Sequence, residues 1–171
     1  MRQGKYWSFL TLLVLALLSP CTSSLGGYYA IQIESLRGLK GVHIWVESLA
    51  SQIKKDGLTE ELIRRDVASQ LQVAGIRILS KEEWFDTEGS PYLYVNANVL
   101  KLQPTNEYIY SIGISLRQNV YPVRKPIEIT GAATWSMGGI IGITSNLNKI
   151  RASVKDQIEE FIRVYLSVNP K

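Results

Sequence analysis

The chain has 171 residues, 46% of them hydrophobic and 20% charged, with a formal net charge of +4, one Cys and one His. A single Cys excludes an internal disulfide framework and a cysteine-rich zinc site, and a single His removes the commonest metal ligand and general base from every constellation that needs two. What remains is the composition of one globular domain with a real core and a poor catalytic inventory.

Arg2 and Lys5 precede an apolar run from Phe9 to Leu18, and the polar stretch Ser19-Pro20-Cys21-Thr22-Ser23-Ser24 follows it. That order predicts a signal peptide over residues 1–24, with the small side chains of Thr22 and Ser24 ahead of the cut, and hence a periplasmic or secreted protein. The apolar run is shorter than the ~20 residues a membrane-spanning helix needs. The alternative is an uncleaved anchor over residues 6–20, which would associate the protein with a membrane. Lipidation of Cys21 is a third reading, but bacterial lipoproteins carry Gly, Ala or Ser before that Cys and here Pro20 stands there. Loss of residues 1–24 removes two positive charges and the only Cys. The longest basic clusters are the pairs Lys54-Lys55, Arg64-Arg65 and Arg124-Lys125, too few to neutralise a row of phosphates, so nucleic acid is not an expected partner.

Residues 25–38 read as a flexible lead-in with a short strand through Ile31 to Leu36. From Leu39 to Leu49, Val42, Ile44 and Val46 alternate with His43, Trp45 and Glu47, the period of a half-buried strand. Lys54-Lys55-Asp56-Gly57 reads as the turn that ends it. Thr59 then caps a helix with Glu60 and Glu61 in its first turn. Leu58 and Ile63 stand at staple spacing, Ile63, Val67, Leu71 and Ala74 share one face, and Gly75 stops the helix. Ile76 to Leu79 is a short strand expected to lie parallel to the first, with a right-handed crossover. Ser80 with Glu82, Glu83 and Trp84 looks like one capped turn.

Three longer alternating strands follow, Tyr92 to Gln103, Glu107 to Val120 and Ile127 to Met137, with turn signals at Pro104-Thr105-Asn106 and Pro122 to Pro126. They predict an antiparallel meander with one buried face, the last strand burying Ile127, Ile129, Ala133, Trp135 and Met137. Gly138-Gly139-Ile140-Ile141-Gly142-Ile143 reads as an apolar connector into a C-terminal helix, where Leu147, Ile150, Val154, Ile158, Phe161, Ile162 and Tyr165 recur at three- and four-residue spacing. The expected fold over residues 39–171 is a single two-layer α+β domain: a mixed, mostly antiparallel sheet with two main helices packed on one face.

His43 has no Ser, Cys or Asp that spacing can place beside it, and the sequential pairs Glu60-Glu61, Glu82-Glu83 and Glu159-Glu160 do not face one another on helices. No catalytic group, metal or cofactor is expected. The connector lacks the Lys and the order of a phosphate loop; Ile140, Ile141 and Ile143 either tuck into the core or meet a partner or lipid. Tyr94, Asn96 and Asn98, with Ser111 and Ser115 and then Thr130, Thr134 and Ser136, form a polar sheet face. That face is either simply solvated or a site for a small ligand, glycan or peptide, and exposed strand edges add a further mode of contact.

Glu47-Ser48-Leu49 ending a strand, Asp66-Val67 and Leu71 on a helix, Ala74-Gly75-Ile76-Arg77-Ile78-Leu79 and Pro91-Tyr92-Leu93-Tyr94-Val95 together resemble small exported bacterial proteins of unassigned function. More distantly, the pattern resembles the α+β domains of envelope assembly factors: the N-terminal domain of the Tol-system translocation protein, and the curli-secretion and penicillin-binding-protein-activator lipoproteins. The resemblance covers Leu39 to Leu79 and the meander in outline, and its motifs are packing signatures that carry no functional residue across. It implies a non-enzymatic periplasmic or envelope protein that binds a protein or other envelope component. A small-ligand or glycan binder using the polar sheet face is the alternative.

Overall fold

The computed structural model describes residues 23–170, and side chains from Tyr29 onward. The apolar run, the anchor alternative and Cys21 therefore lie outside the described residues. No helix among those described is long and apolar enough to cross a membrane. The chain divides into two units, residues 1–31 and 32–171, and the second carries the fold.

Helix α1 spans Ser23–Glu34, where the sequence pattern suggested a lead-in and a short strand from Ile31. The alternation of Ile31 with Ile33 mimics a strand. The burial follows helical spacing instead, with Leu36 fully buried, Ile33 packed against the core and Ile31 72% exposed. Strand β1 is His43–Val46, shorter than Leu39 to Leu49. Its expected terminal turn is a short helix, α2, Ser51–Lys55, anchored by buried Ile53.

Helix α3, Glu60–Val73, begins as expected. Thr59 Oγ1 accepts from the Leu62 amide at 3.3 Å, and Ile63, Val67 and Leu71 are buried. Gly75 follows with φ +75°, the left-handed turn that ends such helices. Leu58 and Ile63 are both buried at the staple positions. Helix α4, Lys81–Asp86, carries a complete capping box: Ser80 Oγ accepts from the Glu83 amide, and Glu83 Oε2 accepts from the Ser80 amide.

Strands β2 (Tyr92–Lys101), β3 (Tyr108–Val120) and β4 (Ile129–Ser136) form the antiparallel meander. Two further pairings complete the open five-stranded sheet. β1 lies parallel to β2, with His43 opposite Tyr92 and Val46 opposite Val95. The segment Ile76 to Leu79 makes only the single parallel bridge Val42 to Ile78, so the sheet partner of β1 is β2. The glycine-rich connector is itself a strand, β5, Ile140–Thr144, antiparallel to β3 with Ile112 opposite Ile140. Because Ser115 faces Ser136 and Ile112 faces Ile140 on the same side of β3, β4 and β5 run end to end as one edge, interrupted at Gly138-Gly139.

Helix α5, Leu147–Val168, starts where Asn146 Oδ1 accepts from the Asn148 amide and buries Ile150, Val154, Ile158, Phe161 and Tyr165. Helices α3 and α5 pack on each other and on one face of the sheet, giving the expected two-layer α+β architecture. They are held across their contact by Arg151, whose Nε and Nη2 donate to both oxygens of Asp66 at 2.8 and 2.9 Å. The core centres on fully buried Trp135, whose ring meets that of Phe161 edge-on at 5.3 Å between centroids.

One expectation about β4 fails. A constant period of two puts Ile127 and Ile129 beside Trp135 in the core, yet they are 54% and 43% exposed. The pairing with β3 shifts register between Leu116 and Arg117 and again between Gln118 and Val120. The first shift carries Ala133, also expected in the core, to the opposite face beside Arg117, where it is exposed. The second returns Ile129, opposite Val120, to the side of Trp135, where it is exposed at the end of the sheet, and Ile127 precedes the strand.

Candidate functional site

Helices cover one face of the sheet, and the side chains that alternate with the core define the other. Aligning the strands gives successive cross-strand rows on this uncovered face. Leu100, Ile109 and Ile143 form the first and Asn98, Ser111 and Ile141 the second. Asn96 and Gly113 come next, then Trp45, Tyr94, Ser115 and Ser136, and then His43, Tyr92, Arg117 and Ala133. The middle is polar, as the alternation predicts, but it is bounded by an apolar row at one end and aromatic rings at the other.

Tyr94, Asn96, Asn98 and Ser111 come together. They line a shallow groove of about 480 Å3 with Ser115, Ser136 and Ile141, and Asn98 Nδ2 donates to Asn96 Oδ1 at 2.7 Å. Thr130 lies farther along, in the aromatic cleft described below. Thr134 is not part of this strip, because the register shift beside it turns its hydroxyl to Gln118, whose Nε2 donates to Thr134 Oγ1 at 2.9 Å. Of the three isoleucines, Ile141 and Ile143 are 80% and 59% exposed while Ile140 is partly buried against the core. Strand pairing to β3, rather than a connector's freedom, produces that alternation.

The aromatic end was not legible as a site from spacing. A cleft of about 530 Å3 opens between Trp45, Trp84, Phe85, Tyr92, Tyr94 and Arg117. The capping box starts α4, and Trp84 on it donates its Nε1 to the Ser90 carbonyl at 2.6 Å. Its ring stacks on His43 at 5.0 Å and 15° and meets Trp45, Phe85 and Tyr92. Trp45 and Phe85 stay 47% and 62% exposed. Opposite, Gly131 has φ +66°, and a Cβ there would stand 2.7 Å from the Tyr92 hydroxyl. Both the backbone conformation and the space restrict this position to glycine.

Arg117 and Tyr94 line the groove and the cleft alike. The Arg117 guanidinium sits over the Tyr94 ring, 4.0 Å from its centroid, and Nε reaches Ser115 Oγ at 3.4 Å. Among the described residues no carboxylate forms an ion pair with it. The nearby Glu47 carboxylate accepts instead from the Tyr94 hydroxyl. Burial and that acceptor push the Tyr94 hydroxyl above the usual tyrosine range, and Arg117 opposes them.

His43 lies under this cluster. Its Nδ1 is 3.0 Å from the Leu79 carbonyl, which can only accept, so Nδ1 carries the proton. Among the described residues no hydroxyl or carboxylate bonds to its ring. Nor does any group of three or more His, Cys, Asp or Glu side chains stand where it could hold a metal ion. The arrangement is suited to holding a ligand by stacking, hydrogen bonds and one cation. No family model matches the chain, and no curated protein matches it either.

Proposed function

We propose that this is an exported, non-catalytic binding protein that engages a protein or other component of the cell envelope through the uncovered face of its sheet. The observation that carries the reading is the continuity of that face. A polar groove and an aromatic cleft share Arg117 and Tyr94, while exposed Leu100, Ile141 and Ile143 extend it at the other end. Side chains of this size left in solvent on one contiguous surface mark contact sites more often than chance exposure does. Export rests on the order of charges and apolar residues in the first 24 positions.

A photoreactive residue placed at Asn98, on the uncovered face, tests this against one placed at Glu159, exposed on α5. Irradiation in intact envelopes is expected to give discrete adducts from position 98 and none from 159. Adducts from 159 alone, or from neither, would contradict the reading. The second reading, a small-ligand or glycan binder, is favoured by the aromatic cleft in particular, because exposed Trp45 and Phe85 rings beside hydrogen-bonding groups suit a ligand with both apolar and polar faces.

A further inference from the structure

We infer that the cleft between Trp45, Phe85 and Arg117 binds an acidic sugar, a pyranose bearing a carboxylate. This rests on the reading that the uncovered face is the binding surface, and names the ligand class it takes.

Three features of the cleft select that chemistry. Trp45 and Phe85 present rings that are 47% and 62% exposed, although an apolar side chain gains by burial. A pyranose ring lays its electron-poor C–H groups on such electron-rich faces. Thr130 lines the cleft beside them and brings a hydroxyl group suited to bonding sugar hydroxyls. The charge is the third and most discriminating feature.

Arg117 is half-buried, tethered by Tyr94 and Ser115, and without a carboxylate partner among the described residues. The Tyr94 ring beneath it and the Nε contact to Ser115 hold the guanidinium in place, and its terminal nitrogens, which bond to no carboxylate among the described residues, supply a fork for two carboxylate oxygens. Tyr94 cannot answer that charge, because its hydroxyl is already given to Glu47 and burial keeps it protonated. A phosphate dianion calls for more than one cation. The cleft offers one guanidinium, which matches a single carboxylate. Asn119 on its wall is a neutral amide with one N–H already given to Glu128 Oε1 at 2.7 Å, so selection by charge falls on Arg117.

The test is calorimetric titration of the full chain with trigalacturonate, with maltotriose as the neutral counterpart and inorganic phosphate as the competing anion. Trigalacturonate is expected to bind at least about tenfold more tightly than either. Arg117→Gln should abolish that preference, and Arg117→Lys should restore it only in part, because an ammonium lacks the fork. Phe85→Ala, at an exposed position that does not threaten the fold, should weaken both sugars alike by removing a stacking face. Equal binding of the neutral sugar, phosphate binding that exceeds the uronate, or no binding of trigalacturonate by a chain with a native melting transition would each overturn the inference. If that happens while Asn98 still gives envelope adducts, only the ligand class falls; if Asn98 gives none, the binding face falls with it.

Discussion

Arg117 and Tyr94 lie on adjacent strands, offset by one cross-strand row, and the guanidinium carbon lies over the phenol ring, 4.0 Å from its centroid. The contact joins the polar groove to the aromatic cleft, and it sets the charge of both. Removing the cation leaves the Tyr94 hydroxyl with burial and Glu47, both of which favour its protonated form. Arg117→Gln is therefore expected to move Tyr94 ionisation to still higher pH. Following tyrosinate absorbance against pH in the wild type, the variant and a Tyr94→Phe control checks this; an unchanged or lowered transition would contradict the packing described.

Glu60 links helix α3 to the loop after β1. Its carboxylate pairs with Lys54 at 2.6 Å and accepts from the Leu49 amide at 2.9 Å. The Lys54 contact, its own amide and that of Leu49 lower its pKa from 4.5 to about 2. The unfolded chain therefore takes up the proton first as acid is added. The contribution is complete above pH 4.5 and disappears as pH falls through about 2. Glu60→Ala should cost about 1–3 kcal/mol near neutrality, and urea unfolding at a series of pH values should show a shallower acid limb than in wild type. An equally steep limb would place the acid sensitivity elsewhere.

Strand β5 makes a prediction about neighbouring isoleucines. Ile141 is exposed and Ile112, opposite Ile140 on β3, is buried. Ile141→Ser should change stability by no more than about 0.5 kcal/mol, whereas Ile112→Ala should cost about 2–5 kcal/mol. Hydrogen exchange in residues 140–144 should be slower than in residues 121–128, which join β3 to β4 in an exposed hairpin. Fast exchange in 140–144, or a large loss from Ile141→Ser, would mean that the segment is a tucked loop and not an edge strand.

Elements with strong local signals were legible in the sequence. Thr59 and Glu60-Glu61 mark the start of α3, Ser80 and Glu83 cap α4, and the spacing of Ile150, Val154, Ile158 and Phe161 draws α5. The alternation through Leu93, Val95 and Ala97 gave the buried face of β2 and, with it, the polar side chains opposite. What eluded the pattern depends on tertiary pairing. Ile31 and Ile33 alternate like a strand but both lie in a helix, which packs Ile33 against the core and leads into buried Leu36 just past its end. Gly138-Gly139 reads as the start of a loop, and only pairing with β3 makes the residues after it a strand. The register shifts opposite Leu116 to Val120 leave Thr134 unpaired between Ala133 and Trp135 and carry Ala133 to the uncovered face, and no local residue type announces them. The aromatic cleft escaped for the same reason. Trp45 and Phe85 are 40 positions apart, and line one cleft only because the Trp84 ring of α4 packs on His43 and Trp45 of β1 while its Nε1 donates to Ser90, just ahead of β2.

The central claim is that the uncovered sheet face, and not the helical layer, meets the envelope. Covalent footprinting of the protein in native envelopes, compared with the protein alone, tests it most directly. Labelling at Trp45, Phe85 and Leu100 should fall in the envelope sample while Val73 on α3, 86% exposed, stays equally reactive. Protection at Val73, or undiminished labelling at Trp45, Phe85 and Leu100, would contradict the account.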